Sequence, residues 1–365
     1  MNIILKKSLL LFLFIHCKTV SILDLNENHR SKCDLEINVI SNLCPDEQIL
    51  LKTAEDKLPL DIDHTFFSSE TLKRIQNSNG FPYAVASFTM GLLKKKDTRS
   101  YLKKVSSINI DSEKKNAANK LSNIQVLILP GVFYDRNSEI GGDGRQLRSL
   151  ANSLGFKDGL IAIPPAGSIY ENGKFICNWL DDSNQYKKIL ISISKGSADF
   201  KIALNYCGEK IFKSKKIVTW INLGGINKGT YLINNVDSNF FSKVYIKYLG
   251  FKYNFSYKSF LSLKAGVKNS ILNQDILMPI DFRIINIIPA PIERYVTERA
   301  YENFLTLSEL GPNDGLTLLG DSYDKGAINI PVWGIDHYFR INKEGWLFLQ
   351  KILLNEARQC FPICK

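Results

Sequence analysis

The sequence predicts an α/β fold: a doubly wound, mostly parallel sheet, with an insertion over one sheet end and an N-terminal extension. Two observations carry this. From about residue 124 onward, short runs of β-branched and apolar residues recur, apolar on both faces, as in strands buried within a parallel sheet. Between them lie helical patterns with their own start and stop residues, the alternation that builds right-handed βαβ units.

The first 21 residues read as an export signal. Lys6 and Lys7 precede the apolar run Ser8–Ile15, and Thr19-Val20-Ser21 offers a cleavage region. Cys17 is a candidate lipid-attachment residue, although Phe14-Ile15-His16 fits a lipobox poorly. Residues 22–122 form an extension of irregular, polar texture and unassigned role. Helix-like pieces lie at Glu70–Gln76 and Tyr83–Leu93, and Lys114–Lys120 resembles a linker. The main domain is expected over 123–365.

The first strand-like run is Ile124–Leu129, ended by Pro130-Gly131. Asp143 is placed to cap a helix, with Gln146 at the capping-box spacing and Gly155 as the stop after Leu154. Leu160–Ile163 is the second run and Lys187–Ile193 the third. A helix over Lys195–Cys207 follows at once, ended by Gly208. Ile217–Leu223, Arg283–Ile288 and Asn329–Trp333 supply the remaining strands, and Asn342–Gln359 reads as a closing helix. From about Thr230 to Asp281 the alternation is interrupted by a segment rich in Tyr, Phe, Ser and Lys. An insertion at this place lies over the strand ends where α/β sheets bind ligands, so about 230–281 reads as a lid or cap.

The net charge of +11 comes largely from scattered lysines. Basic runs interleaved with aromatics are absent, which argues against nucleic-acid binding. A positive surface suits peripheral contact with an anionic membrane or an acidic substrate. Oligomeric state is left open. Besides Cys17, Cys33/Cys44 and Cys360/Cys364 are close enough to close small loops, and Cys177 and Cys207 complete the set. Export would allow oxidation, but the connectivity stays open. No cysteine–histidine spacing suggests zinc, and no metal or cofactor is called for.

The chemistry centres on Ser192-Ile193-Ser194-Lys195-Gly196, which ends a buried-strand pattern and opens a helical one. A nucleophile on such a turn needs small residues two before and two after it, and Ser192 and Gly196 meet that need. The following helix start favours developing negative charge. A serine nucleophile requires a base. Of four histidines, His16, His29 and His64 precede the sheet, and only His337 lies within it, after the sixth run. Asp314, Asp321 and Asp324 are the candidates for the carboxylate that orients the base. Backbone N–H donors for an oxyanion are expected from Lys195 and from Val132 or Phe133 in the loop after the first strand.

Four stretches, spread over roughly residues 124–340, give the chain a resemblance to the α/β-hydrolase superfamily, in its lipase and esterase-like branch. PGVFYDR resembles the oxyanion strand-loop and SISKGSADFKIAL the elbow with its helix. INLGGINKGTYL resembles the stretch leading into a lipase lid, and NDGLTLLGD…GIDHYF the acid turn and histidine loop. The resemblance favours Asp314 over Asp321, because several lipases hold their acid in such an Asn-Asp-Gly turn. It implies a triad of Ser194, Asp314 and His337, and hydrolysis of a lipid or small acyl ester through an acyl-enzyme. Acyl transfer by the same triad, or a non-catalytic binding role at the cell envelope, are the alternatives. The departures from the family pattern are Ser192, where glycine is usual, and Lys195 beside the nucleophile.

Overall fold

A computed structural model of the 365-residue chain describes residues 43–360, apart from 137–140, 183–185, 254, 269, 275–277, 280–281 and 341–342. The expected export signal, Cys17, Cys33 and Cys364 lie outside the described residues.

The stretch that looked irregular is mostly helical. Pro45–Asp56 (α1), Ser69–Asn79 (α2), Phe81–Lys94 (α3), Lys96–Ser106 (α4) and Ile110–Leu121 (α5) follow one another. Local chemistry sets their limits. The Ser68 Oγ accepts from the Thr71 N–H at 3.2 Å, and Pro82 sits in the first turn of α3, where no N–H is needed. The polar texture reflects one-sided burial: α4 buries Thr98, Tyr101 and Val105 and leaves Lys103 and Lys104 exposed. Lys114–Lys120, taken for a linker, belongs to α5.

Next come Ile124–Leu129 (β1), Arg145–Leu154 (α6), Lys157–Leu160 (β2), Ile169–Asp182 (α7), Lys187–Ile193 (β3), Lys195–Ser214 (α8) and Ile217–Leu223 (β4). The insertion holds Tyr231–Ser238 (α9), Phe240–Tyr253 (α10) and Tyr257–Leu261 (α11). Arg283–Ala290 (β5), Glu298–Ser308 (α12), Leu319–Ser322 (α13), Ile328–Trp333 (β6) and Lys343–Cys360 (α14) complete the chain. The six strands are all parallel, in the order β2-β1-β3-β4-β5-β6.

The largest departures from the sequence reading lie at three boundaries. β2 ends where the second strand was expected to begin. It is the sheet edge and partly exposed, so the apolar run Ile161–Ile163 marks the buried loop beyond it. α6 starts after Gly144, which holds a left-handed φ of 63°. Asp143 still satisfies the Arg145 N–H at 3.0 Å, but Gln146 is exposed. α8 runs past Gly208. It departs from helical geometry at Cys207, which a disulfide joins to Cys177 of α7.

Alternation along the strands fills two cores. Val126, Ile128, Ile189 and Ile191 pack with Leu147, Leu150 and Leu353 on one face. Leu127, Leu129, Leu190 and Trp220 pack with Ile176, Phe200 and Ala203 on the other. Each fully buried Val, Leu, Ile or Phe among them contributes about 1.5–3 kcal/mol of transfer free energy. A third core joins Leu72, Val85 and Phe88 of the early helices to Ile288, Leu319 and Trp333. The Thr98 hydroxyl donates to the Asn329 carbonyl at 3.0 Å, and the Tyr101 hydroxyl to Glu356 at 2.9 Å. Helices from before residue 122 therefore share the interior with the last strand and last helix.

Candidate active site

Ser194 occupies the single position between β3 and α8, with φ 52° and ψ −118°. A non-glycine residue there is strained by roughly 1–3 kcal/mol and needs surrounding bonds to hold it. They are present. The Ser194 N–H donates to Leu223 at 3.2 Å, and the Ser194 carbonyl accepts from Ser197 and Ile226, each at 3.1 Å. A Cβ on Gly196 would sit 2.6 Å from the Leu129 carbonyl oxygen and 2.7 Å from that of Pro130, so glycine is required. Ser192 replaces the usual glycine because its buried hydroxyl finds partners: it accepts from Trp220 Nε1 at 2.7 Å and shares a hydrogen bond with Ser197 at 2.8 Å.

The structure brings three of the expected residues together. His337 Nε2 lies 2.9 Å from Ser194 Oγ, and His337 Nδ1 lies 2.8 Å from Asp314 Oδ2. Asp314 is fully buried. Its Oδ1 accepts from the N–H groups of Leu316 (2.8 Å) and Thr317 (2.7 Å), and its Oδ2 from the Thr317 hydroxyl (3.1 Å). The Asn-Asp-Gly turn is itself held by the Asn313 side chain, whose Oδ1 accepts from Gly315 at 2.9 Å. The other aspartates are placed elsewhere. Asp321 accepts from Ser69 Oγ at 3.0 Å, and burial raises its carboxyl above the usual range. Asp324 accepts from the Gly326 N–H at 2.9 Å within its own turn.

Lys195 begins α8, so its N–H is one of the donors a helix start leaves open. Gly131 crosses directly over the elbow: a Cβ on it would lie 3.7 Å from Ser194 Cβ. Of the two loop donors expected, Phe133 is corrected. Its N–H donates to the Pro165 carbonyl at 3.0 Å and is turned away from this duty. Val132 remains, and among the described residues its N–H meets no acceptor. The Lys195 side chain does not face water. It is buried against Asp199, with Nζ 2.6 and 2.8 Å from the two carboxylate oxygens, and Asn172 of α7 donates to the same carboxylate at 3.0 Å.

Several residues of the site escaped the sequence reading. Asp336, beside the histidine, accepts from the N–H and hydroxyl of Thr297 at 2.8 and 2.6 Å and from the Tyr338 N–H at 3.0 Å; burial raises its carboxyl. A buried polar row also crosses the sheet. Ser192, Asn222, Asn286 and Asn329 are register partners on β3, β4, β5 and β6. Asn222 donates to Asn286 at 3.0 Å, and Asn286 donates to Asn329 at 2.8 Å and to the Ser322 carbonyl at 2.7 Å. The Ser322 hydroxyl meets Thr317 at 2.9 Å, and Thr317 holds Asp314. The row thus links the serine turn to the acid turn. One asparagine in each of three apolar strands was the available signal.

The fold is that of the α/β-hydrolases, with Ser194 on the turn between β3 and α8. The chain is similar to a metagenomic carboxyl esterase of known structure, at 15% identity and a TM-score of 0.53 over 65% of this chain and 76% of that one. It is also similar to the mature form of a Bacillus licheniformis lipase, at 20% identity and a TM-score of 0.48 over 66% of this chain and 89% of that one. No family model and no curated protein sequence matches significantly.

Proposed function

We propose that this chain is a serine hydrolase that cleaves a carboxylic ester, of lipid or small acyl type, through an acyl-enzyme on Ser194. The observation that carries the reading is the unbroken contact from Ser194 Oγ through the His337 ring to the buried Asp314 carboxylate. His337 Nε2 takes the hydroxyl proton as Ser194 Oγ attacks the ester carbonyl carbon. The Lys195 and Val132 N–H groups hold the oxyanion, a contribution of about 3–4 kcal/mol per donor in such sites. The ester C–O bond breaks, and the alcohol leaves with the proton from His337. Water, deprotonated by His337, then releases the acid and restores the serine.

The segment 230–281 acts as the cap over this site. In support, the Phe255 ring lies 5.5 Å from that of Phe133 in the loop beside Ser194. Export to an oxidising compartment is part of the same reading, supported by the Cys177–Cys207 disulfide.

The test is covalent labelling by a fluorophosphonate, with Ser194→Ala as control, followed by ester turnover. Labelling that disappears in S194A is expected. A folded chain that takes no label would overturn the reading in favour of a binding protein, and transfer of the acyl group to added alcohols in preference to water would make it an acyltransferase.

A further inference from the structure

Helix α10 has two unlike sides. Ile246 and Leu249 are buried against Val236 of α9, with Phe255, Tyr257 and Phe260 packed around them. On the opposite side, large apolar residues face solvent: Phe240 is 70% exposed, Phe241 81%, Val244 50%, Tyr248 56% and Phe251 90%. At 3.6 residues per turn these five fall within an arc of about 100°. Lys243 and Lys247 border that arc on one side and Lys252 on the other. Over residues 231–268 the chain carries six lysines and one carboxylate, Asp237.

We propose that this face of α10 is a docking surface for an anionic lipid bilayer. A contiguous aromatic patch of this kind marks an interaction site, and the charge around it selects the partner. Phenylalanine rings enter the boundary between headgroups and acyl chains, tyrosine remains at the headgroup level, and flanking ammonium groups reach lipid phosphates. Lysines on both borders add attraction only where the surface is negative. At 14 residues α10 is too short to cross a bilayer, so this face meets the bilayer surface. The buried side of α10 is already packed and the apolar side already faces outward. Docking therefore needs no opening movement, and it does not rest on the ester-hydrolase reading.

The experiment is flotation of the full chain carrying Ser194→Ala with vesicles of phosphatidylcholine alone or mixed with phosphatidylglycerol. Binding to the mixed vesicles is expected to exceed binding to the neutral ones. The pair Phe241→Ser and Phe251→Ser should lower binding to mixed vesicles by about tenfold or more. The pair Lys247→Gln and Lys252→Gln should lower it by roughly fivefold per charge, with little change on neutral vesicles. Near-ultraviolet circular dichroism verifies that each variant is folded. Unchanged binding in the phenylalanine pair would overturn the proposal and move the contact to another segment, such as the apolar run 8–15. Equal binding to both vesicle types would overturn its electrostatic half. A dimer that dissociates in the phenylalanine pair would overturn it in favour of a second copy as the occupant.

Discussion

His337 and Asp314 are joined twice: the ring Nδ1 lies 2.8 Å from the Asp314 Oδ2, and the His337 backbone N–H donates to the Asp314 carbonyl at 2.9 Å. The second bond does not depend on the side chain, so Asp314→Asn should keep the loop in place while losing the carboxylate that orients the imidazole. We expect kcat to fall by roughly 10³–10⁴-fold with little change in melting temperature. Asp321→Asn is the contrast: kcat on a soluble ester should stay within about threefold, because that carboxylate braces Ser69.

The polar row across the sheet predicts a stability effect far larger than its solvent exposure suggests. Asn286→Leu removes one partner each from Asn222, Asn329 and the Ser322 carbonyl, leaving them to Asn227, the Asp324 N–H and Asn227 respectively. Urea unfolding should show a loss of about 1–3 kcal/mol for each group left unsatisfied. Loss of the Ser322 contact should also loosen Thr317 and Asp314, lowering kcat more than it raises KM.

Lys195 and Asp199 form a buried pair one helical turn apart. Asp199→Asn leaves an ammonium with no counter-charge beside Ser194, which should cost about 3–5 kcal/mol in urea unfolding. Replacing both partners, by Lys195→Met with Asp199→Leu, should recover most of that loss, because two charges no longer need to leave water.

Asp237 fastens the insertion. It pairs with Lys264 at 2.7 Å, accepts from the Tyr257 hydroxyl at 2.8 Å and lies 3.6 Å from Lys243. The Lys264 and Tyr257 hydrogen bonds bring its carboxyl down to about 2. Its pKa is lower folded than unfolded. The stabilisation, about 1 kcal/mol for a partly exposed cluster, is therefore complete above the usual carboxylate range and lost as pH falls toward 2. Pepsin cleavage within the insertion should accelerate over that interval. Asp237→Asn should show the faster cleavage already at its upper end and converge with the unaltered chain at the lower end.

Strands β3 and β4 stand where the sequence put them, because strands buried on both faces are apolar throughout. β2 was displaced because its partly exposed residues lack that texture, whereas β6, the other edge, is covered by α3 and α4 and keeps it. Of the helices before β1, α2 and α3 were legible in the helix-like pieces Glu70–Gln76 and Tyr83–Leu93, while α1, α4 and α5 were not, for a related reason. Their lysines and asparagines cover the outer faces, and the apolar residues beneath them have meaning only against β5 and β6. At the site, Ser194 and His337, which the structure brings within 2.9 Å, could be picked from the strand-end turn and from the one histidine after the sheet begins, whereas Asp314 was chosen over Asp321 and Asp324 only by the family resemblance. Phe133 could not be told from Val132, because which N–H is engaged depends on Pro165, more than thirty residues away in sequence. Nor could the asparagine row be seen, since register alone places those side chains side by side.

The pairing of the earliest helices with the latest strand bears on how the chain comes into being. Thr98 bonds Asn329 across 231 positions, Ser69 bonds Asp321 across 252, and Tyr101 bonds Glu356 across 255. A ribosome releases α2, α3 and α4 long before their partners exist, and closing such long loops comes at the end of folding. Until then Val85 and Phe88 of α3 are covered only by Leu51, Phe67 and Leu72 of the neighbouring early segments, and lack Ile288, Leu319 and Trp333. The nascent protein spends most of its synthesis with part of an apolar helix face in water, and a holding chaperone has its natural point of attachment there.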